Sequence, residues 1–72
     1  MTADLIKRMV VETVYLLNKF EEIAFRRTPG SKGTWFAKQK GLFEYPIKAN
    51  TVIVNDAVLE EKYLTEEQYQ KY

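Results

Sequence analysis

The feature that most restricts this chain is an apolar stripe that runs from Leu5 to Phe25 and stops at Thr28-Pro29-Gly30. Leu5, Met9, Leu16, Phe20 and Ile23 recur at three- and four-residue steps, give or take a turn, and Ile6, Val10, Val14, Leu17 and Ala24 widen the stripe. Asp4, Arg8, Glu12, Lys19, Glu22 and Arg26 lie opposite, with Asp4/Arg8, Arg8/Glu12 and Glu22/Arg26 four apart. The spacing predicts one long amphipathic helix over 3–27. Thr2 is its expected N-cap, Asp4 lies in its first turn, and Arg26 and Arg27 close its last. Pro29 disfavours helical geometry at Thr28, and Gly30 completes the stop.

Such a helix would be too long for its surroundings. Twenty-five residues at 1.5 Å each span about 38 Å, whereas a compact globule of this chain length is roughly 29 Å across. One end should overhang and bare its apolar side unless a second subunit covers it or the helix bends. The expectation is a homo-oligomer, a dimer packed through Leu5, Met9, Leu16 and Phe20.

The remainder reads as short elements of one domain, 1–72. Residues 34–37 suit a strand, 38–41 a turn and 42–48 a returning strand, in which Phe43, Tyr45 and Ile47 alternate with Glu44, Pro46 and Lys48. Pro46 cannot donate a ladder hydrogen bond, which suits an edge or a strand end. Val52-Ile53-Val54 reads as a buried strand. Asn55 or Asp56 then caps a short helix marked by Val58, Leu59 and Tyr63, and Thr65 with Gln68 has the spacing of a capping box for a final turn or two. The expected fold class is α+β: a long N-terminal amphipathic helix, a short antiparallel sheet of two or three strands, and one or more short C-terminal helices.

At 72 residues the core is thin, since a domain of this size buries only about 60% of the surface its unfolded chain exposes. With no cysteine and no histidine there is neither a disulfide nor the commonest metal ligand to reinforce it, and no metal is expected. No apolar run approaches the roughly 18 residues of a membrane span, and charges interrupt Met1–Glu12 where a signal peptide would be apolar. A cytoplasmic protein with no membrane association is expected.

The residues offer little for catalysis. Ser31 is the only serine, and no histidine exists to activate it. The pairs Glu21/Glu22, Glu60/Glu61 and Glu66/Glu67 are sequence neighbours, which point about 100° apart on a helix and share neither a proton nor a metal. The segment Pro29-Gly30-Ser31-Lys32-Gly33-Thr34 lacks both the glycine spacing and the strand-before-helix context of a phosphate-binding loop. A non-enzymatic protein without a cofactor is expected.

Charge is segregated although the chain carries only +1 overall. Residues 26–54 hold Arg26, Arg27, Lys32, Lys38, Lys40 and Lys48 against Glu44 alone, while residues 55–72 are acidic. In a hairpin over 34–48, Phe36, Lys38 and Lys40 share a face opposite Trp35 and Ala37. A ring flanked by ammonium groups is what single-strand binders use, and Arg26, Arg27 and Lys32 would extend the patch. The competing reading is a protein partner held by the long helix and by the acidic, tyrosine-rich end, where Tyr63 and Tyr69 offer rings with one apolar and one hydrogen-bonding end. A net charge near zero tips the balance to a small regulatory protein that binds a protein partner, with nucleic-acid binding as the alternative. In composition it suits the small regulators that phages, plasmids and viruses encode.

Overall fold

A computed structural model describes residues 3–31 and 33–72; Thr2, expected as a cap, and Lys32 of the basic set lie outside the described residues. The long helix does not form. Its span divides into α1 (Ala3–Val11), β1 (Val14–Asn18) and β2 (Ile23–Arg27). Two features of the sequence explain the break. The helical stripe is interrupted by Glu12-Thr13 between Met9 and Leu16, and the next residues bury in strict alternation, Val14, Leu16 and Asn18 inward, Tyr15 and Leu17 half-covered on the other side. A strand puts successive side chains on opposite faces. Val10-Val11 and Thr13-Val14 are also β-branched and weak helix formers, so the second half of the stripe gains more from pairing than from continuing the helix.

Five strands follow instead of two or three: β3 (Thr34–Gln39), β4 (Tyr45–Lys48) and the two-residue β5 (Tyr63–Leu64) complete an antiparallel sheet of order β4-β3-β2-β1-β5. Strands β1 to β4 form a meander, and β5 returns to pair with β1 beyond it, Tyr63 opposite Leu16 and Leu64 opposite Tyr15. Val52-Ile53-Val54, expected as a strand, opens helix α2 (Val52–Glu60), and Tyr63, expected in a helix, lies in β5. The β-branched preference loses to packing here: Val54, Ala57 and Val58, three and four apart, all face the core. The last helix, α3 (Glu66–Lys71), carries the complete capping box, Gln68 N–H donating to Thr65 Oγ1 and Thr65 N–H to Gln68 Oε1.

One face of the sheet, with Val14, Leu16, Ile23, Phe25, Trp35 and Ala37, packs under Leu5 and Met9 of α1 and Val54, Ala57 and Val58 of α2. Trp35 is 2% exposed and meets Phe25 edge to face at 6.5 Å. The buried Asn18 is satisfied twice: its Nδ2 donates to the Ile53 carbonyl at 3.0 Å and its Oδ1 accepts from the Glu21 N–H at 3.2 Å, tying α2 to the β1–β2 turn. The opposite face receives α3, whose Tyr69 ring rests on Tyr15 at 5.1 Å.

The molecule measures 30 × 23 × 19 Å, and among the described residues no helix overhangs it. Of the expected dimer seam, Leu5, Met9 and Leu16 are buried in the chain's own core, and Phe20 is exposed in the β1–β2 turn. The case for a dimer held by an overlong helix therefore falls. Edge pairing through β4 is also discouraged. Ala49 N–H donates to Gly33, and hydrogen-bonded positions alternate along an antiparallel pair, so Pro46 sits where its missing N–H would have faced the free edge.

Candidate interaction surface

Of the residues expected at a protein interface, Leu5, Met9, Leu16 and Tyr69 are buried inside the fold. Tyr63 is half-buried under the Arg8 guanidinium, 4.0 Å from its ring centre, and its hydroxyl donates to Glu61 Oε2 at 3.0 Å. Phe20 alone of this set is free to meet another molecule, being 86% exposed.

The basic set divides across the sheet. Arg26 and Phe36 are cross-strand partners, and the guanidinium lies 4.4 Å above the ring. Arg26 also grips Glu44 through two hydrogen bonds, Nε to Oε1 at 3.0 Å and Nη2 to Oε2 at 3.1 Å. Tyr69 Oη donates to the same carboxylate at 2.8 Å. The Arg26 guanidinium, helped by that phenol and opposed by burial, holds the Glu44 carboxyl below its ordinary range. Burial and Glu44 push the Tyr69 phenol above the tyrosine range. Arg26 and Phe36 thus belong to a clamp that fastens α3 to the sheet. Arg27 turns to the other face, where its Nη1 donates to the Met9 carbonyl at 2.7 Å and anchors α1. Lys38 shares the Phe36 face, and Lys40 is exposed in the β3–β4 turn.

What the sequence did not disclose lies at one end of the sheet. In a meander the β1–β2 and β3–β4 turns emerge at the same end, their centres two strand spacings, roughly 10 Å, apart. The first, Lys19-Phe20-Glu21-Glu22, is closed by Glu22 in left-handed geometry at φ 54°. The second carries Leu42, 57% exposed, and Phe43, 94% exposed, after Gly41 at φ 77°. Gly supplies that conformation at little cost. Phe43 was expected on the apolar face of a strand beginning at Leu42, but β4 begins only at Tyr45 and the ring projects from the turn. Gly41 one residue before Leu42 was the available signal, since a left-handed glycine there lets the turn lengthen.

Tyr72 ties the end of the chain to the β3–β4 turn. Its backbone oxygen accepts from the Gly41 N–H at 2.7 Å, and burial, with a smaller contribution from the Glu22 carboxylate, raises its phenol pKa. Between α3 and the β3–β4 turn lies an open cleft of about 400 Å³ bordered by Lys38, Leu42, Phe43, Lys71 and Tyr72. On the outer side, Lys62 lies against Lys19, whose ammonium lowers its pKa. The end surface therefore has three apolar side chains surrounded by charges of both signs. Among the described residues no group of three or more acidic, cysteine or histidine side chains is placed to hold a metal, and no helix is long and apolar enough to cross a membrane. Comparison with protein-family models, curated proteins and solved structures finds no match.

Proposed function

We propose that this protein is a small non-enzymatic interaction module that docks a protein partner on the end of its sheet formed by Phe20, Leu42 and Phe43. The observation that carries the reading is the exposure of two phenylalanine rings, 86% and 94%, on adjacent turns. Isolated aliphatic side chains at a surface are ordinary, and those of α1 and α2, such as Val10 and Leu59, are spread over two helices. Two bare aromatic rings at one end are different, because aromatic anchors inside a polar rim are the usual composition of a protein interface. Burying apolar surface there contributes roughly 25 cal/mol per Å².

A mixed-charge rim suits a protein better than a polyanion. Both arginines expected to meet phosphates are engaged within the fold, Arg26 by Glu44 and Arg27 by the Met9 carbonyl. The nucleic-acid reading keeps one support, the placement of Lys38 and Lys40 beside the exposed Phe43.

The test compares the wild type with Phe20→Ser/Phe43→Ser as bait in the native cell, alongside a titration with single-stranded and duplex DNA. Capture of a protein that disappears with the double substitution is the expected result. Salt-sensitive DNA binding that depends on Lys38 and Lys40, with no protein captured through the rings, would replace this reading with the other.

A further inference from the structure

We propose that the occupant of this surface is a second copy of the same chain, paired about a two-fold axis so that the β1–β2 turn of each copy meets the β3–β4 turn of the other. This rests on the reading of the sheet end as a protein-docking surface and names its partner.

Charge and symmetry select this occupant. The β1–β2 turn presents Glu21 and Glu22 beside Phe20, both acidic residues being exposed. Its one cation, Lys19, lies near Lys62, which immediately precedes β5 and so stands on the side of β1 away from β2. The β3–β4 turn presents the exposed Lys40 beside Phe43, the half-buried Lys38 of β3 borders the same cleft, and the turn's only acid, Glu44, is occupied by Arg26 and Tyr69. An acidic, ring-bearing turn and a basic, ring-bearing turn therefore stand side by side. A two-fold axis between them places each opposite its complement, twice over, because an isologous contact repeats every pairing. Phe43 of one copy is brought to Phe20 of the other by the same operation. No partner of uniform charge sign would be matched by both turns at once, whereas an identical chain is matched by both.

The size of the surface sets the strength. The largest face of the molecule is 30 × 23 Å, and one end offers less than the ~800 Å² per partner of a standard interface. The dimer is accordingly reversible, with a dissociation constant on the order of tens of micromolar.

Sedimentation equilibrium from about 5 µM to about 1 mM brackets that range, and the far-ultraviolet circular dichroism of every variant checks its fold. The wild type is expected to pass from monomer to dimer, and Phe43→Ser to remain monomeric. Lys40→Glu and Glu21→Lys each place like charges across the contact and should each weaken association roughly tenfold, as about 1.4 kcal/mol would do. Mixed in equal amounts, the two variants restore both opposite-sign pairs, so the mixture should associate about as tightly as the wild type. A wild type that stays monomeric at the highest concentration overturns the proposal, as does a dimer indifferent to Phe43→Ser. Folded charge variants that fail to associate on mixing overturn the turn-on-turn arrangement. If the monomer still captures a different protein through Phe20 and Phe43, self-pairing is lost and the docking surface stands; if capture is indifferent to the rings, both are lost.

Discussion

The Tyr69 hydroxyl donates to Glu44 Oε1 at 2.8 Å, and this bond makes one helical turn of α3 part of the fold. Tyr69 is the only buried side chain of that helix, and its ring contact with Tyr15 supplies the apolar half of the attachment. Tyr69→Phe keeps the ring contact and deletes the charge-assisted bond. It should cost about 1.5–3 kcal/mol, the range for hydrogen bonds to charged groups. Tyr69→Ala also loses the buried ring and should cost about 3–5 kcal/mol. Urea unfolding followed by the fluorescence of Trp35 reads both, and a Tyr69→Phe variant as stable as the wild type would deny the bond its role.

The same clamp makes stability depend on pH in two windows. Glu44 titrates below its ordinary range in the folded chain, so its contribution is complete above the unfolded carboxyl value, about 4.3, and fades as pH falls through the lower folded value. Tyr69 is shifted the other way. Its contribution is complete below the unfolded phenol value, about 10, and fades as pH rises beyond it. Unfolding free energy plotted against pH should show a plateau between these limits, and Tyr69→Phe should flatten the alkaline fall.

Asn18 makes a second polar contact whose loss the core would feel. Asn18→Ala leaves the Ile53 carbonyl and the Glu21 N–H without their partner in a buried corner. The expected cost is about 2–4 kcal/mol, from two lost bonds of roughly 1–2 kcal/mol each. Hydrogen exchange should localise the loss to α2 and the β1–β2 turn. A uniform loss across the sheet would show that Asn18 acts through general packing instead.

These contacts explain which parts of the fold were legible in the sequence. The capping box at Thr65 and Gln68 was readable because both partners are local, and Pro46 marked an edge because a missing N–H is a property of the residue itself. A strand at 34–37 and a return over 42–48 followed from alternation and from Gly41, although β3 runs on to Gln39 and β4 begins only at Tyr45. The division of 3–27 was not readable in the same way. Leu5, Met9, Leu16, Phe20 and Ile23 satisfy a helical period well enough, and what decides against it is the pairing of Leu16 with Phe25 across the β1–β2 turn and with Tyr63, the latter distant in sequence. That misreading put Leu16 at an interface, while the tyrosine-rich composition of the C-terminal segment put Tyr69 there and simple alternation put Phe43 on a strand, so the exposed sheet end emerged only once the two turns were placed beside each other.

The exposed rings and the buried ones should respond oppositely to truncation. Phe43→Ser removes a side chain that is 94% exposed, so monomer stability should change by less than about 0.5 kcal/mol. Phe25→Ala, at a fully buried position against Trp35, should cost about 3–5 kcal/mol. Thermal melts at concentrations well below association separate the two, and a marked loss for Phe43→Ser would mean that the ring packs within its own chain.

Arg27 separates structural from nucleic-acid roles most sharply. On sequence grounds it would contact phosphate, and its removal would then lower DNA affinity and its salt dependence while leaving the fold alone. In the fold its Nη1 donates to the Met9 carbonyl at 2.7 Å, across the sheet face that α1 covers. Helix α1 is otherwise anchored by Leu5 and Met9 and by Arg8 over Tyr63. Arg27→Gln should therefore cost roughly 1.5–3 kcal/mol, as the loss of a charge-assisted bond, and should speed amide exchange selectively over Ala3–Val11. Retained protection of α1 together with weakened DNA binding would assign Arg27 to phosphate recognition and remove it from the scaffold.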